Sequence, residues 1–434
     1  MVTAILRAVV VAAAICLSVA AHADPAKVLR ISSKDIASLD PQQGTDLRST
    51  RVASAIFEGL YQFDYLAEPA KVVPNTAEAM PVITEGGKVW TIKLLRGIHF
   101  TDSPAFKGNA RELVAEDYVY SIKRAIDPNL LGGDPALTNL IEGARSIVDA
   151  ARKPGAKFDY DAPMAGLRAI DRYTLQIRLT SVDYTLLERL AGLSMTAVAH
   201  EVVEAAGNDI KSQPVGTGPY MLKEWKRASR VVLEANPNYR GLQFPGSTEP
   251  RQHALVQSMR GKTLPQIGRI EISIIDESLP DLLAFAQGDL DYVALAGDDL
   301  NRMLIGNELK PELAGKGVVR MRYSAPTIIF TYFNMKGPVV GGYSPAQIAL
   351  RRAIAMGFNV EELIRVLYGG EALPANQLLP PGVDGHDDSL PPKSIYDPAA
   401  ARAARPIRFQ GSRRRRLSRD TGRQVAHARP RHAS

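Results

Sequence analysis

Three stretches carry residues at spacings that can do chemistry. His200-Glu201-Val202-Val203-Glu204 imitates a zinc helix, where two histidines four apart share a face and hold the metal. Here Glu204 stands at the second ligand position, so the pattern reads better as a solvated helix face. Gly216-Thr217-Gly218 opens like a phosphate-binding loop. Met221 replaces the third glycine and no Lys-Ser/Thr follows, so neither nucleotide fingerprint is complete and a tight backbone turn is the better reading. Glu116-Asp117 could act as an acid–base pair, but it sits beside a helix start, where the macrodipole already favours acids. No Gly-x-Ser-x-Gly elbow occurs, and the seven histidines are scattered. The expectation is a protein with no catalytic residues, no bound metal and no cofactor.

The whole chain sets the frame. Its 434 residues exceed one core, so two or three domains are expected. The net charge of +7 suggests nucleic acid until its distribution is read. Ten arginines and one acid fall in residues 405–434, giving +9 there; Arg7 adds +1, and the body is left at −3. A slightly acidic body has no basic face to steer phosphates, so no nucleic-acid partner is expected. Residues 1–23 read as a secretory signal: Arg7, an apolar run over residues 8–20, and Ala21-His22-Ala23 as a small-x-small cleavage site after Ala23. The single Cys16 lies inside that segment and is discarded with it, leaving a mature chain without thiols.

The elements that must position any site follow from period. Trp90, Ile92 and Leu94 alternate with Thr91 and Lys93 as a half-buried strand, Arg96-Gly97 supplies a turn, and a second short strand begins at Ile98. Tyr118, Val119, Ile122, Ala125 and Ile126 then fall on one helical face that Pro128 stops. Further strands are expected at residues 28–32, 174–179, 230–234 and 269–275. Residues 52–61 read as a helix ended at Gly59, and 184–193 as helical.

In order and residue type these pieces resemble the family 5 extracellular solute-binding proteins, the peptide- and nickel-binding receptors of ABC importers. The family's "P-x-L-A" segment stands here as Pro74-Asn75-Thr76-Ala77, its hairpin as Trp90 to Phe100, and its "tAeDVvySi.R" helix as Ala115 to Arg124. Two departures show. Val114 replaces the usual capping Thr, and Thr101-Asp102 replaces His-Asp. A second marker, "GTGPY" with a following "NpdYwg", is matched by Gly216 to Tyr220 and by Asn236-Pro237-Asn238-Tyr239-Arg240-Gly241. Gly288-Asp289-Leu290-Asp291, a strand-like Thr327 to Asn334, and Leu350 to Ala355 resemble later family segments. The likeness runs from about Ile31 to Ala403.

After Ala403 the pattern changes to an Arg-rich tail. Arg413 to Ser418 can be written CGA-CGG-CGA-CGG-CTA-TCG; one base later this reads Asp-Gly-Asp-Gly-Tyr-Arg, a family motif. The expectation is a frame shift near Arg402 or Ala403, with the rest of the second lobe and the closing part of the first lobe missing. An unstable, aggregation-prone product is then expected. A genuine basic arm is the other reading.

The resemblance implies an α/β, two-lobed periplasmic binding protein of the type II-like class, with a small extra subdomain in lobe I. The division would be a signal peptide at 1–23, lobe I at 24–75 and 171–268, the subdomain at 76–170, partial lobe II at 269–404, and an aberrant, disordered tail at 405–434. It implies a periplasmic monomer that captures oligopeptides or dipeptides for the permease subunits of an ABC importer. Ser32, Ser33 and Lys34 after the first strand, and Thr217 in the Gly-Thr-Gly turn, are the expected ligand-binding residues. A truncated non-functional product, a receptor for nickel or another small solute, and a secreted hydrolase are the rival readings.

Overall fold

The computed structural model describes residues 23–403 except 45, 68, 208, 209, 248, 296, 298, 323, 324, 384 and 392–394. Residues 1–22, which hold all but the last residue of the expected signal segment 1–23, and residues 404–434, which include the expected tail 405–434, lie outside the described residues. In chain order the strands are β1 (Asp24–Ser33), β2 (Tyr61–Asp64), β3 (Lys71–Pro74), β4 (Val82–Thr84), β5 (Val89–Lys93), β6 (Leu167–Asp171), β7 (Thr174–Arg178), β8 (Tyr220–Lys226), β9 (Arg230–Ala235), β10 (Leu242–Gln243), β11 (Thr263–Leu264), β12 (Ile267–Ile274), β13 (Leu304–Ile305) and β14 (Glu308–Leu309).

The chain divides into two compact units. The first runs to Pro326 and includes Leu379–His386. It holds two four-stranded sheets, ordered β1-β12-β9-β8 and β4-β5-β7-β6. In the first sheet β1 lies parallel to β12, while β12–β9 and β9–β8 are antiparallel. β1 and β8 are therefore its edges. The apolar period of each strand decides its place: Val231 and Leu233 of the inner strand β9 are buried, whereas most of β1 is exposed or half-buried.

Trp90 and Ile92 are buried as their alternation requires, but the strand does not close a hairpin with residues 98–100. β5 pairs instead with β4 and β7. Ile98 and Phe100 form an arm with residues 111–113, through Phe100 N–H to Arg111 O at 2.9 Å and Leu113 N–H to Ile98 O at 2.8 Å. The Arg96-Gly97 turn thus redirects the chain, because the neighbouring places on β5 are already filled.

The helix Ala115–Ile126 forms where its apolar face predicts and buries Tyr118, Val119, Ile122, Ala125 and Ile126. Val114 cannot cap with its side chain, and Asp117 substitutes by accepting the Val114 N–H at 2.8 Å. The helix expected at 52–61 lies earlier, at Leu47–Ala53, capped by Asp46. Gly59 is not its terminator. It sits where a Cβ would come 3.0 Å from Tyr61 O and 3.2 Å from Leu190 O.

One continuous core joins both sheets through Leu39, Ile56, Leu60, Tyr118, Leu186 and Val231. Inside it Arg124 donates to Asp40 at 2.7 Å and to Gln42 at 3.2 Å, with both charged side chains fully buried. Gln42 in turn donates to Ser194 O and Thr196 O. The second unit, Thr327–Leu378 with residues from Asp387, carries the helices Pro345–Met356, Val360–Leu367 and Pro398–Ala403. The first starts on a Ser344–Gln347 capping box and the second on Asn359. The strand expected at 327–334 is absent among the described residues, where that unit offers no other strand to pair with it.

Removing one member of a buried pair leaves the other charged and unmatched. Arg124→Met is therefore expected to cost about 3–5 kcal/mol, read as a lowered urea midpoint of the full chain.

Candidate functional site

Segments that are far apart in the sequence meet at one buried carboxylate. Glu58 Oε2 accepts from Arg240 Nη1 at 2.6 Å and from Thr217 Oγ1 at 3.0 Å. Arg240 Nη2 also donates to Asn75 Oδ1 at 2.9 Å. Asn75 Nδ2 and Thr76 Oγ1 donate to Gly59 O, and the Tyr118 hydroxyl lies 2.5 Å from Thr76 Oγ1. Burial pushes the Glu58 carboxyl above its usual value against the pull of Arg240, while the pair holds the Arg240 guanidinium up despite its own burial.

The Gly-Thr-Gly turn is held against this network. Gly218 N–H donates to Ile56 O at 2.8 Å, and a Cβ on Gly216 would stand 2.0 Å from that same oxygen. Backbone approach, not phosphate binding, accounts for the glycines. Thr217 is 2 % exposed and gives its hydroxyl to Glu58, so the structure places it inside this network.

Ser32 and Ser33 lie at the end of β1 and Lys34 just beyond it. Ser33 Oγ donates to Lys34 O at 2.9 Å, and Lys34 is exposed. The backbone around them is strictly oriented. Ser33 O accepts from Ile275 N–H at 2.9 Å, so Ser33 faces β12. Arg30 faces the other way: its N–H donates to Asp291 Oδ2 and its carbonyl accepts from Asp291 N–H, both at 2.7 Å. The Arg30 guanidinium completes the clamp, at 2.8 Å from Asp291 Oδ1. It also holds the Asp291 carboxyl below the ordinary value of 3.8. Successive strand residues alternate, so Ser32 N–H and C=O face the same open edge as Arg30, one step past the clamp. Sequence reasoning placed Asp291 in a family segment but missed its pairing with Arg30, because nothing in the spacing links residues 261 apart.

The other chemical candidates are spent locally. Glu201 accepts from Arg111 at 2.8 Å, and Arg111 also holds Asp117 at 2.6 Å. The His200 helix face is therefore an ion-paired, half-buried surface and not simply solvated. Arg111, Asp117 and His200 border a cavity of about 470 Å³ whose two arginines, Arg111 and Arg172, are both paired to acids. Among the described residues no group of three or more His, Cys, Asp or Glu could hold a metal ion.

The family description "Bacterial extracellular solute-binding proteins, family 5 Middle" matches residues 71–404. The chain belongs to this family. It is 26% identical over 359 residues to Di/tripeptide-binding protein 2 of Pseudomonas aeruginosa, covering 79% of this chain and 58% of that protein. It is 25% identical over 371 residues to the periplasmic oligopeptide-binding protein OppA of Salmonella typhimurium, covering 84% and 58%. In fold it is similar to the periplasmic binding protein DppA of Helicobacter pylori in complex with the peptide STSA, with a TM-score of 0.60, 21% identity, and coverage of 87% and 65%. The fold class is thus that of the α/β periplasmic binding proteins. The family comprises solute-binding proteins, not enzymes, and this chain spans about three-fifths of the length of the curated relatives it matches. Among the described residues no helix is long and apolar enough to cross a membrane.

Two outcomes follow for the network. Gly216→Ala forces backbone apart and is expected to cost about 1–3 kcal/mol or more by urea denaturation. Arg240→Ala, which strands Glu58, is expected to cost about 3–5 kcal/mol, and adding Glu58→Gln to it should recover part of that loss.

Proposed function

We propose that the protein captures short peptides through the open edge of β1 and delivers them to the permease subunits of an ABC importer. The carrying observation is the alternation at Ser32. Two residues past the Arg30–Asp291 clamp, a strand edge offers one outward N–H and one outward C=O. That is the minimal recognition unit for an extended main chain, which pairs without regard to side chains. Ser32 supplies these backbone groups, Ser33 holds the Lys34 carbonyl, and the exposed Lys34 ammonium meets a ligand carbonyl or carboxylate. Thr217 acts at one remove, as a positioning residue through Glu58. The names of the relatives support the ligand class, being those of di/tripeptide and oligopeptide binders. We also assign the protein to the periplasm, as a monomer released by cleavage after Ala23.

The test is calorimetric titration of the purified full chain with dipeptides to tetrapeptides. Saturable binding is expected. Proline is tolerated on an edge strand where its missing N–H faces outward, so Ser32→Pro should leave the fold intact and weaken binding about tenfold. Binding of peptide by wild type and Ser32→Pro alike would reject the β1 edge, and no peptide binding at all would reject the ligand class.

A further inference from the structure

Past Ser33 the chain forms an arch, residues 34–39, that carries the exposed Lys34. Other segments tie this arch down group by group. At its start Ser33 O accepts from Ile275 N–H at 2.9 Å, and Asp35 N–H donates to Asp276 Oδ1 at 3.4 Å. Ser49 Oγ, on the helix Leu47–Ala53, accepts from the N–H groups of Ala37 and Ser38 at 3.2 and 3.3 Å. Leu39 N–H closes the arch on Lys211 O at 2.9 Å. The carbonyls of Ile36 and Ala37 go to one side chain: Arg227 Nη1 donates to them at 3.0 and 3.3 Å.

Arg227 lies in the turn from β8 to β9, 191 residues from Ile36. Two features of that turn aim its guanidinium at the arch. Its Cζ stands 3.9 Å from the centre of the Trp225 ring, two residues earlier on the same face, so the indole backs the guanidinium and narrows its choice of direction. The next residue, Ala228, has a φ of +51°, a left-handed conformation that costs an alanine free energy and that the surrounding contacts must maintain.

We infer that Arg227 is a positioning residue for peptide capture, holding the arch that presents the Lys34 ammonium to the ligand. The inference rests on Lys34 meeting the ligand, as proposed above. Arg227 itself acts through the chain between Ile36 and Lys34. An arch fixed before the ligand arrives spares binding the entropy of ordering it. Ser33 stays tied to Ile275 whatever happens at Arg227, so loss of the guanidinium frees Lys34 from one side only. Its effect is therefore smaller than loss of the ammonium.

The test is a double-mutant cycle, read by calorimetric titration of the full chain with trialanine. Lys34→Ala is expected to weaken binding about tenfold and Arg227→Ala about threefold. Added to Lys34→Ala, the Arg227 substitution should bring no further loss, because no ammonium is left to place. Arg227→Lys, which keeps a donor over the indole, should restore most of the affinity. In free Arg227→Ala protein the amides of Ala37 and Ser38 should exchange faster than in wild type, while that of Leu39 is unchanged. Equal losses from Arg227→Ala with and without Lys34 overturn the inference, because the guanidinium would then act on the ligand directly through its charge. Unchanged exchange at residues 37 and 38 overturns it too. A loss from Lys34→Ala with none from Arg227→Ala overturns this inference alone. Binding indifferent to Lys34→Ala overturns the reading of Lys34 and the role of Arg227 with it.

Discussion

The Glu58–Arg240 pair is the interaction on which the first unit depends. A carboxylate with 5 % exposure is costly to keep charged, and this one is held by a guanidinium and a threonine hydroxyl delivered by different segments. Asn75 and Thr76 fix the carbonyl of Gly59, next in the chain to Glu58, and Tyr118 brings in the helix Ala115–Ile126. Four of the segments that carry the family resemblance, those holding Asn75 and Thr76, Tyr118, Thr217 and Arg240, therefore meet at this charge.

That meeting point also orders the sheet. The Gly-Thr-Gly turn leads directly into β8, and Gly218 and Tyr220 both donate to carbonyls of the 55–56 stretch. β8 pairs with β9, β9 with β12, and β12 with β1. The orientation of Ser32 at the far edge thus rests on a ladder whose first rung is tied beside Glu58. At that far edge Asp291 occupies the place next to Arg30, between the outward-facing Val28 and Ser32. Edge strands invite unwanted pairing, and a charged clamp at Arg30 interrupts this one.

Much of this was legible in the sequence because it is local. β1, β7, β9 and β12 and the helix Ala115–Ile126 announce themselves by residue pattern. What period cannot show is which strand takes which neighbour. Residues 90–100 read as a hairpin because a turn sat between two apolar runs, yet β7, from more than eighty residues on, fills the place beside β5. Residues 327–334 have strand composition, but composition makes a strand only where a partner exists. Long-range ion pairs were equally invisible: Glu58 lay within residues 52–61, read as a helix, and Arg240 within the segment Asn236 to Gly241. Each gains its meaning only from the other.

The most direct measurement is amide exchange, residue by residue, at the end of β1 in the full chain with and without the tetrapeptide Ser-Thr-Ser-Ala. Ser33 is already turned toward β12, and by alternation Ile31 faces it too, while Ser32 faces out. Peptide is expected to protect the Ser32 amide and to leave those of Ile31 and Ser33 unchanged. Peptide bound with no change at Ser32, or with protection spread evenly over residues 31–33, would contradict it.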